Sequence, residues 1–368
     1  MKRNTALIKV IDMFKRIFAI VLVLIMSLSF GGCGEKYKLP EYSQKQFSTS
    51  GFWAPYDISE EGLQLYKDAG LNTLLMVNHS LDKDSGEKQF YLGSERTMKA
   101  LELCKKLELN AVIQYADWIA EWVEGEGYYS DTPFSQFDIY DKYKDIITGV
   151  SICDEPKADS LEHYANKTKV EDFKKVYPNA TFQGNLIPIT AGSHNWGYQT
   201  YEIMLDMFAE KFMEPFDNPY ISVDVYPFHL QVPDSDLYYA ANYEMIAKNA
   251  KEYSAETTFI LQSSTGNEFE SELSEGDMRW QINSAIAYGA DNLQYYCYAV
   301  PQSFKEDGTT DEAMYNYCIL NPDNTPSQLY YYLQTIHKEI QGYASVALSY
   351  DWDSVKGIEG SKESAYRV

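Results

Sequence analysis

The feature that most constrains this sequence is a rhythm. Between residues 51 and 344, eight short apolar runs of strand length alternate with eight stretches of helical periodicity. Runs rich in β-branched and aromatic residues, bounded by turn residues, read as strands. Apolar residues recurring at i, i+3 and i+4 read as helices. The strands fall at 51–55, 71–77, 111–116, within 146–156, and at 181–187, 220–225, 257–262 and 292–300. The helices fall at 61–69, 94–107, 139–145, 160–176, 201–213, 237–253, 275–288 and 326–344. A helix after every strand requires parallel pairing, because adjacent antiparallel strands are joined by short hairpins. Eight units in about 290 residues match a closed (β/α)8 TIM barrel of class α/β over 51–345 better than an open doubly wound sheet.

In such a barrel the C-terminal strand ends converge on one mouth, where reactive groups collect. The fourth run, from Ile146 to Pro156, is apolar until it meets Asp154, Glu155 and Pro156. Charged residues are costly inside a sheet and proline cannot donate to a ladder, so both acids belong at the rim. Other strand ends carry Trp53, Tyr56 and Asp57; His79; Tyr115, Asp117 and Trp118; Asn185; Asp224 and Tyr226; and Gln262. On the eighth run Tyr295 and Cys297 share one face, and Tyr296 and Tyr298 the other. Tyr296 and Tyr298 are the candidate pair for the mouth. Aromatic rings suit the apolar faces of sugar rings, while carboxylates and amides suit hydroxyl groups. Two carboxyl groups across such a pocket are what glycosidic cleavage requires.

Composition narrows the partners. A net charge of −23 lacks the basic footprint that nucleic acid requires. No GxGxxG or GxxxxGK[ST] motif follows a strand, so no nucleotide cofactor is expected. His79 and His229 stand outside any metal-ligand spacing, and the acidic loop from Asp82 has Gly93 where a calcium loop needs glutamate, so no metal is expected.

The run Val150-Ser-Ile-Cys-Asp154-Glu155-Pro156 resembles the Asn-Glu-Pro of the (β/α)8 glycoside hydrolase superfamily, the group holding β-galactosidase-like and cellulase-like barrels. The run Ala287-Tyr-Gly-Ala-Asp-Asn-Leu-Gln-Tyr-Tyr296 is similar to the eighth unit of bacterial glycosidases. The resemblance implies glycosidase activity on a carbohydrate substrate, with Glu155 as general acid/base. Asp154 replaces that family's asparagine. Gln262 stands where the family places its nucleophilic glutamate, and an amide cannot attack. Asp224 is the expected second carboxylate, with Glu268 and Glu270 as the alternatives. Without the seventh-strand glutamate, a barrel that binds surface glycans without cleaving them is the second class of function. A structural surface lipoprotein is the third.

Residues 1–33 read as a lipoprotein signal peptide. Lys2, Arg3, Lys9, Lys15 and Arg16 precede an apolar run at 17–30 that is short for a membrane span, and Gly31 and Gly32 precede Cys33. The Gly-Gly-Cys ending looks like a lipobox, although Phe30 stands where leucine is usual. The expected product is exported and lipid-anchored at Cys33, with 34–50 as a flexible tether and 346–368 as a short tail. Cys104, Cys153, Cys297 and Cys318 fall in apolar stretches without CxxC spacing and read as buried thiols. Two acyl chains hold a protein firmly at a membrane. Cys33→Ser should therefore move the protein from the membrane fraction to the medium on cell fractionation. Membrane retention of a variant cleaved elsewhere would remove the anchor.

Overall fold

A computed structural model of the protein describes residues 45–76, 90, 92–115, 122–123, 127–128, 133–197, 200–229, 235–267, 269–270, 272–304 and 310–355. Cys33, His79, Asp117, Trp118 and Glu268 lie outside the described residues. The strands are β1 (Ser48–Gly51), β2 (Thr73–Leu75), β3 (Asn110–Gln114), β4 (Ile147–Asp154), β5 (Thr181–Leu186), β6 (Tyr220–Asp224), β7 (Glu256–Gln262) and β8 (Asn292–Tyr296). They form one parallel sheet in the order β1-β8-β7-β6-β5-β4-β3-β2. The circle nearly closes between β1 and β2. There Asn72 N–H donates to Thr49 O (3.0 Å), Thr49 N–H donates to Asn72 Oδ1 (2.9 Å), and the Ser48 and Thr73 hydroxyls meet at 2.9 Å. The result is a (β/α)8 TIM barrel. Its first strand begins at Ser48, three residues earlier than the sequence pattern suggests.

The outer layer is α1 (Glu60–Asp68), α2 (Glu95–Leu107), α3 (Lys167–Val176), α4 (Tyr201–Phe208), α5 (Ser235–Tyr253), α6 (Glu275–Ala287) and α7 (Gln328–Ala347). Short polar residues cap α1 to α4, α6 and α7: Ser59, Ser94, Asn166, Thr200, Ser274 and Ser327 each accept from a backbone N–H in the first turn. Three helices differ from the sequence reading. Phe134–Tyr143 forms a 3-10 helix where an α-helix over 139–145 is expected. Phe134, Phe137, Tyr140 and Tyr143 recur every third residue and are all buried. A 3-10 helix has three residues per turn, so it alone turns all four rings to the core. The expected helix at 160–176 breaks at Asn166, which caps a fresh start. The expected helix at 201–213 widens into a π turn from Ala209 to Met213.

Between sheet and helices the core is strongly aromatic. Phe182 stacks on Phe216 at 4.8 Å and Tyr243 on Phe259 at 3.8 Å. Tyr295, on the outer face of β8, meets His337 of α7. Gly70 admits that imidazole, because a Cβ there would lie 2.6 Å from the His337 Cβ.

His337 is fully enclosed. Its Nδ1 donates to Ala69 O (2.8 Å), which can only accept, so Nε2 accepts from the Tyr295 hydroxyl (2.7 Å). Burial pushes its pKa down from 6.5 to about 4. Between those values the unfolded chain binds a proton that the folded chain refuses. Stability present above pH 6.5 is therefore lost as pH falls toward 4, by about 3 kcal/mol in full. Urea unfolding at pH 7 and pH 4.5 should show this loss. His337→Gln should flatten the slope relative to its own stability at pH 7; an unchanged slope would assign the effect elsewhere.

Candidate active site

Strand register assembles the site before any side chain is considered. Asp154 on β4 pairs with Asn185 on β5, and Asn185 pairs with Ser222 on β6. Asp224 lies two residues beyond Ser222 on the same strand, so it shares that face one step nearer the mouth. Asp154, Asn185 and Asp224 line a cavity of about 460 Å³ at the C-terminal end of the barrel. Glu155, Tyr226 and Tyr296 also line it, as do Phe52, His229, Phe269 and Tyr315. Among the described residues no lysine or arginine does.

One amide organises the acids. Asn185 Nδ2 donates to Asp154 Oδ1 (3.0 Å) and to Asp224 Oδ1 (3.1 Å). Its Oδ1 lies 3.1 Å from the Ser222 hydroxyl, which can donate to it or to Gly184 O (3.2 Å); ionised carboxylates only accept, so the amide nitrogen is the end that faces them. Glu155 follows the strand with its backbone in the left-handed region, φ +45°, a conformation that costs a non-glycine residue about 1–3 kcal/mol. Its N–H is held by Asn185 O at 2.9 Å. Its side chain shares a hydrogen bond with Asp224.

Asp154 and Glu155 reach the solvent of the mouth, whereas Asp224 is buried. All three carboxyl groups sit above their usual pKa range. For Glu155 the causes are desolvation, then the charges of Asp224 and Asp154, then the hydrogen bond to Asp224. For Asp224 they are desolvation and the charge of Asp154, opposed by the Asn185 N–H and the Glu155 hydrogen bond. For Asp154 desolvation raises the value and the Asn185 N–H opposes it. Glu155 and Asp224 share that hydrogen bond, and burial and mutual repulsion hold both carboxyl groups above their usual range.

The opposite wall is aromatic. Tyr226 and Tyr296 lie 5.4 Å apart at 31°, and Phe269 meets Tyr226 edge-on at 5.6 Å. The Tyr296 and Tyr315 hydroxyls are 3.3 Å apart.

Of the expected residues, the cavity gathers Asp154, Glu155, Asn185, Asp224, Tyr226 and Tyr296. Six others lie elsewhere. Tyr115 is buried against Phe134 (4.6 Å) and under Lys169 Nζ (5.0 Å), on the outer side of β3. Gln262 is fully buried: Oε1 accepts from Phe228 N–H (3.1 Å), and Nε2 donates to Ser264 O (3.3 Å). Tyr298 is fully buried against Tyr66, because β8 ends at Tyr296 and the alternation ends with it. Tyr56 donates its hydroxyl to Val300 O (3.0 Å). Trp53 stands behind Tyr296, its indole directed at the Tyr296 hydroxyl, and Phe52 takes its place in the lining. Glu270 is exposed outside the cavity, its N–H donating to Phe228 O (3.0 Å). Phe269 and Tyr315 come from loops after β7 and β8, where periodicity carries no signal. Cys104, Cys153, Cys297 and Cys318 are buried free thiols.

No protein-family model and no curated protein sequence matches the chain. Its fold is similar to those of solved glycosidases. A β-galactosidase from G. stearothermophilus aligns at 12% identity over 85% of this chain and 59% of that one, with a TM-score of 0.57. An endo-1,4-β-D-mannanase from Thermotoga petrophila aligns at 14% identity over 80% of this chain and 100% of that one, with a TM-score of 0.50. A glucosidase from Croceicoccus marinus aligns at 13% identity over 82% and 69%, also with a TM-score of 0.50. The likeness is one of fold.

The crowding of acids predicts a trade of stability against charge. A raised carboxyl binds its proton more tightly in the folded state, so stability falls as pH rises through the window above the ordinary value. Asp224→Asn removes one charge and keeps an oxygen for the Asn185 N–H. Its melting temperature should exceed that of the parent at pH 8, and the difference should shrink at pH 4. A variant equally less stable at both values would mean that the acids do not repel.

Proposed function

We propose that this protein is a glycoside hydrolase held at the cell surface by its lipidated N-terminus, with Glu155 as general acid. The observation that supports it best is Glu155 set beside Asp224 and Asp154, its pKa raised by desolvation and by their charges, at a mouth walled by aromatic rings. A proton donor in glycosidic cleavage must stay protonated near neutral pH, and burial beside like charges is how a carboxyl does so. The rings Tyr226 and Tyr296 offer flat apolar surface for a sugar, and Asp154 and Asn185 offer hydrogen bonds to its hydroxyl groups.

Asp224 enters this reading differently from the sequence expectation. Opposed carboxyl groups stand about 5–5.5 Å apart in retaining enzymes and about 6.5–9.5 Å apart in inverting ones. Asp224 is hydrogen-bonded to Glu155, closer than either arrangement. Its proposed role is to hold the Glu155 proton and to steady the site once that proton leaves.

A second reading, a barrel that binds glycans without cleaving them, draws on Gln262. The two differ in one measurement. Purified protein is incubated with a panel of polysaccharides, with and without 2-acetamido sugars, and reducing ends are counted. The hydrolase releases them, and Glu155→Gln should lower the rate on natural glycans by about two to four orders of magnitude. Glycosides with activated leaving groups should lose less, because they need little protonation. Binding without release in the parent protein would favour the second reading, and full activity in Glu155→Gln would remove Glu155 from the mechanism.

Asp224→Asn takes a negative charge from beside Glu155 and so lowers its pKa. The alkaline limb of the kcat/KM profile should move to lower pH in that variant. A limb that stays in place would show that the proton donor is not Glu155.

A further inference from the structure

Cleavage with Glu155 as acid still requires something to attack the anomeric carbon. Among the described residues, all three carboxyl groups lining the mouth stand together at the ends of β4 and β6. On the β8 side the cavity presents Tyr296, with Phe52, Phe269 and Tyr315 from loops, while Ile260 lies beside Asp224 in register. Gln262 cannot turn into the cavity, because both ends of its amide and its own N–H are held, the last by Gln281 Oε1 at 2.8 Å. No described pair of carboxyls therefore has the facing geometry of a two-carboxylate glycosidase.

The same wall has a second property. Among the described residues, Asp154 and Asp224 hold acceptor oxygens at the mouth with no cation lining it. Among the same residues the Asn185 N–H is the donor to Asp154 Oδ1, which leaves its other oxygen to take an N–H from a ligand. Facing it are an apolar aromatic surface and the paired hydroxyls of Tyr296 and Tyr315. An acceptor on one side, with hydroxyl donors and an apolar surface on the other, complements a small secondary amide: N–H, carbonyl oxygen and methyl.

We propose that the substrates carry a 2-acetamido group on the sugar whose bond is cut, and that this group's carbonyl oxygen supplies the nucleophile. The proposal rests on the glycosidase reading above and specifies its substrate class. In the first step the carbonyl oxygen bonds to C1. The C1–O bond to the leaving group breaks, and the Glu155 proton passes to the departing oxygen. The product is a bicyclic oxazolinium ion whose positive charge lies partly on the nitrogen, and Asp154 accepts its N–H. In the second step the Glu155 carboxylate takes a proton from water while the water oxygen bonds to C1. The ring C1–O bond breaks, the acetamido group is restored, and Glu155 is protonated again. The sugar leaves with its anomeric configuration retained. One water is consumed, and no other reactant is needed.

The test uses the purified protein and matched 4-nitrophenyl β-glycosides of glucose and galactose, bearing either 2-hydroxyl or 2-acetamido groups. The 2-acetamido member of a pair should have kcat/KM at least about a hundredfold higher, the scale of a well-placed intramolecular nucleophile being larger still. Replacing acetyl by trifluoroacetyl weakens the carbonyl nucleophile and should lower kcat by about tenfold or more, about 1.4 kcal/mol at the transition state. Asp154→Asn should lower kcat on the acetamido substrate, and a hexosamine thiazoline, a stable mimic of the bicyclic ion, should bind the parent protein more tightly than that variant in calorimetry. Comparable turnover of the 2-hydroxyl glycosides, or reducing ends released from glycans without 2-acetamido sugars, overturns this proposal and leaves the glycosidase reading standing. Loss of turnover in Glu268→Gln with recovery by azide also overturns it, because the nucleophile is then on the protein. No cleavage of any glycoside or polysaccharide removes both.

Discussion

The mouth of this barrel depends on a single side-chain amide. Three acids meet there with no cation among the described residues of the lining. Like charges at such range raise one another's pKa and push the structure apart. Asn185 offsets this by placing one nitrogen between Asp154 and Asp224 and donating to both. An amide at that position is useful only if its orientation is fixed. The acids themselves fix it, because carboxylates only accept, and Ser222 stands against Oδ1 from the adjacent strand. The arrangement follows from register, because Asp154, Asn185 and Ser222 are direct neighbours across β4, β5 and β6. Slipping any one of these strands by a residue would turn its member of the set to the other face. Charge placement and strand pairing are thus one constraint seen at two scales.

What holds the register is the layer outside the sheet. The barrel closes weakly at β1 and β2, through one described backbone bond and a few side-chain bonds. Large rings wedge the sheet against its helices elsewhere: Phe173, Phe182, Phe212 and Phe216 behind β5, and Tyr239, Tyr243 and Phe259 behind β7. Buried rings contribute large apolar area and pack with defined geometry. The N-terminal end of the barrel is quite different. Thr73, Thr181, Gln183, Thr258 and Gln294 line a polar cavity of about 340 Å³ there. Rigidity is therefore supplied from outside the strands more than from within the barrel, which leaves both ends open.

Much of this was legible in the sequence, and the limits have physical causes. Seven of the eight strands lie on their expected runs, because a parallel strand buried on both faces must be an apolar run, while the first shares only Gly51 with the expected 51–55. Asp154, Glu155, Asn185 and Asp224 stood out because polar groups ending apolar runs have few places to go except the mouth. Helix type was missed at Phe134–Tyr143, where the aromatic spacing of three over four rings is the mark of a 3-10 helix. The aromatic wall was half legible. Tyr226 and Tyr296 end strands, but Phe269 and Tyr315 arrive on loops whose path depends on tertiary packing. The parity of β8 was legible and its length was not, so Tyr296 sits in the mouth while Tyr298 is buried against Tyr66.

Gln262 shows how a strand-end polar residue can be structural. The position reads as a lost nucleophile if it is compared only with a glutamate of similar shape. Its surroundings ask for an amide. The Phe228 N–H needs an acceptor and the Ser264 carbonyl needs a donor, and Gln262 supplies both while fully enclosed. A glutamate there would still accept from Phe228, but it would set an oxygen against the Ser264 carbonyl and bury a charge with no cation near it. Burying an unpaired charge costs far more than losing one hydrogen bond. A seventh-strand carboxylate is therefore not one substitution away in this barrel. The loop from Ser263 to Thr265 is held by Tyr296, Cys297 and Tyr317 on one side, and the Gln262 amide donates to its Ser264 carbonyl. That is why the search for the attacking group moves from the strand ends to the substrate.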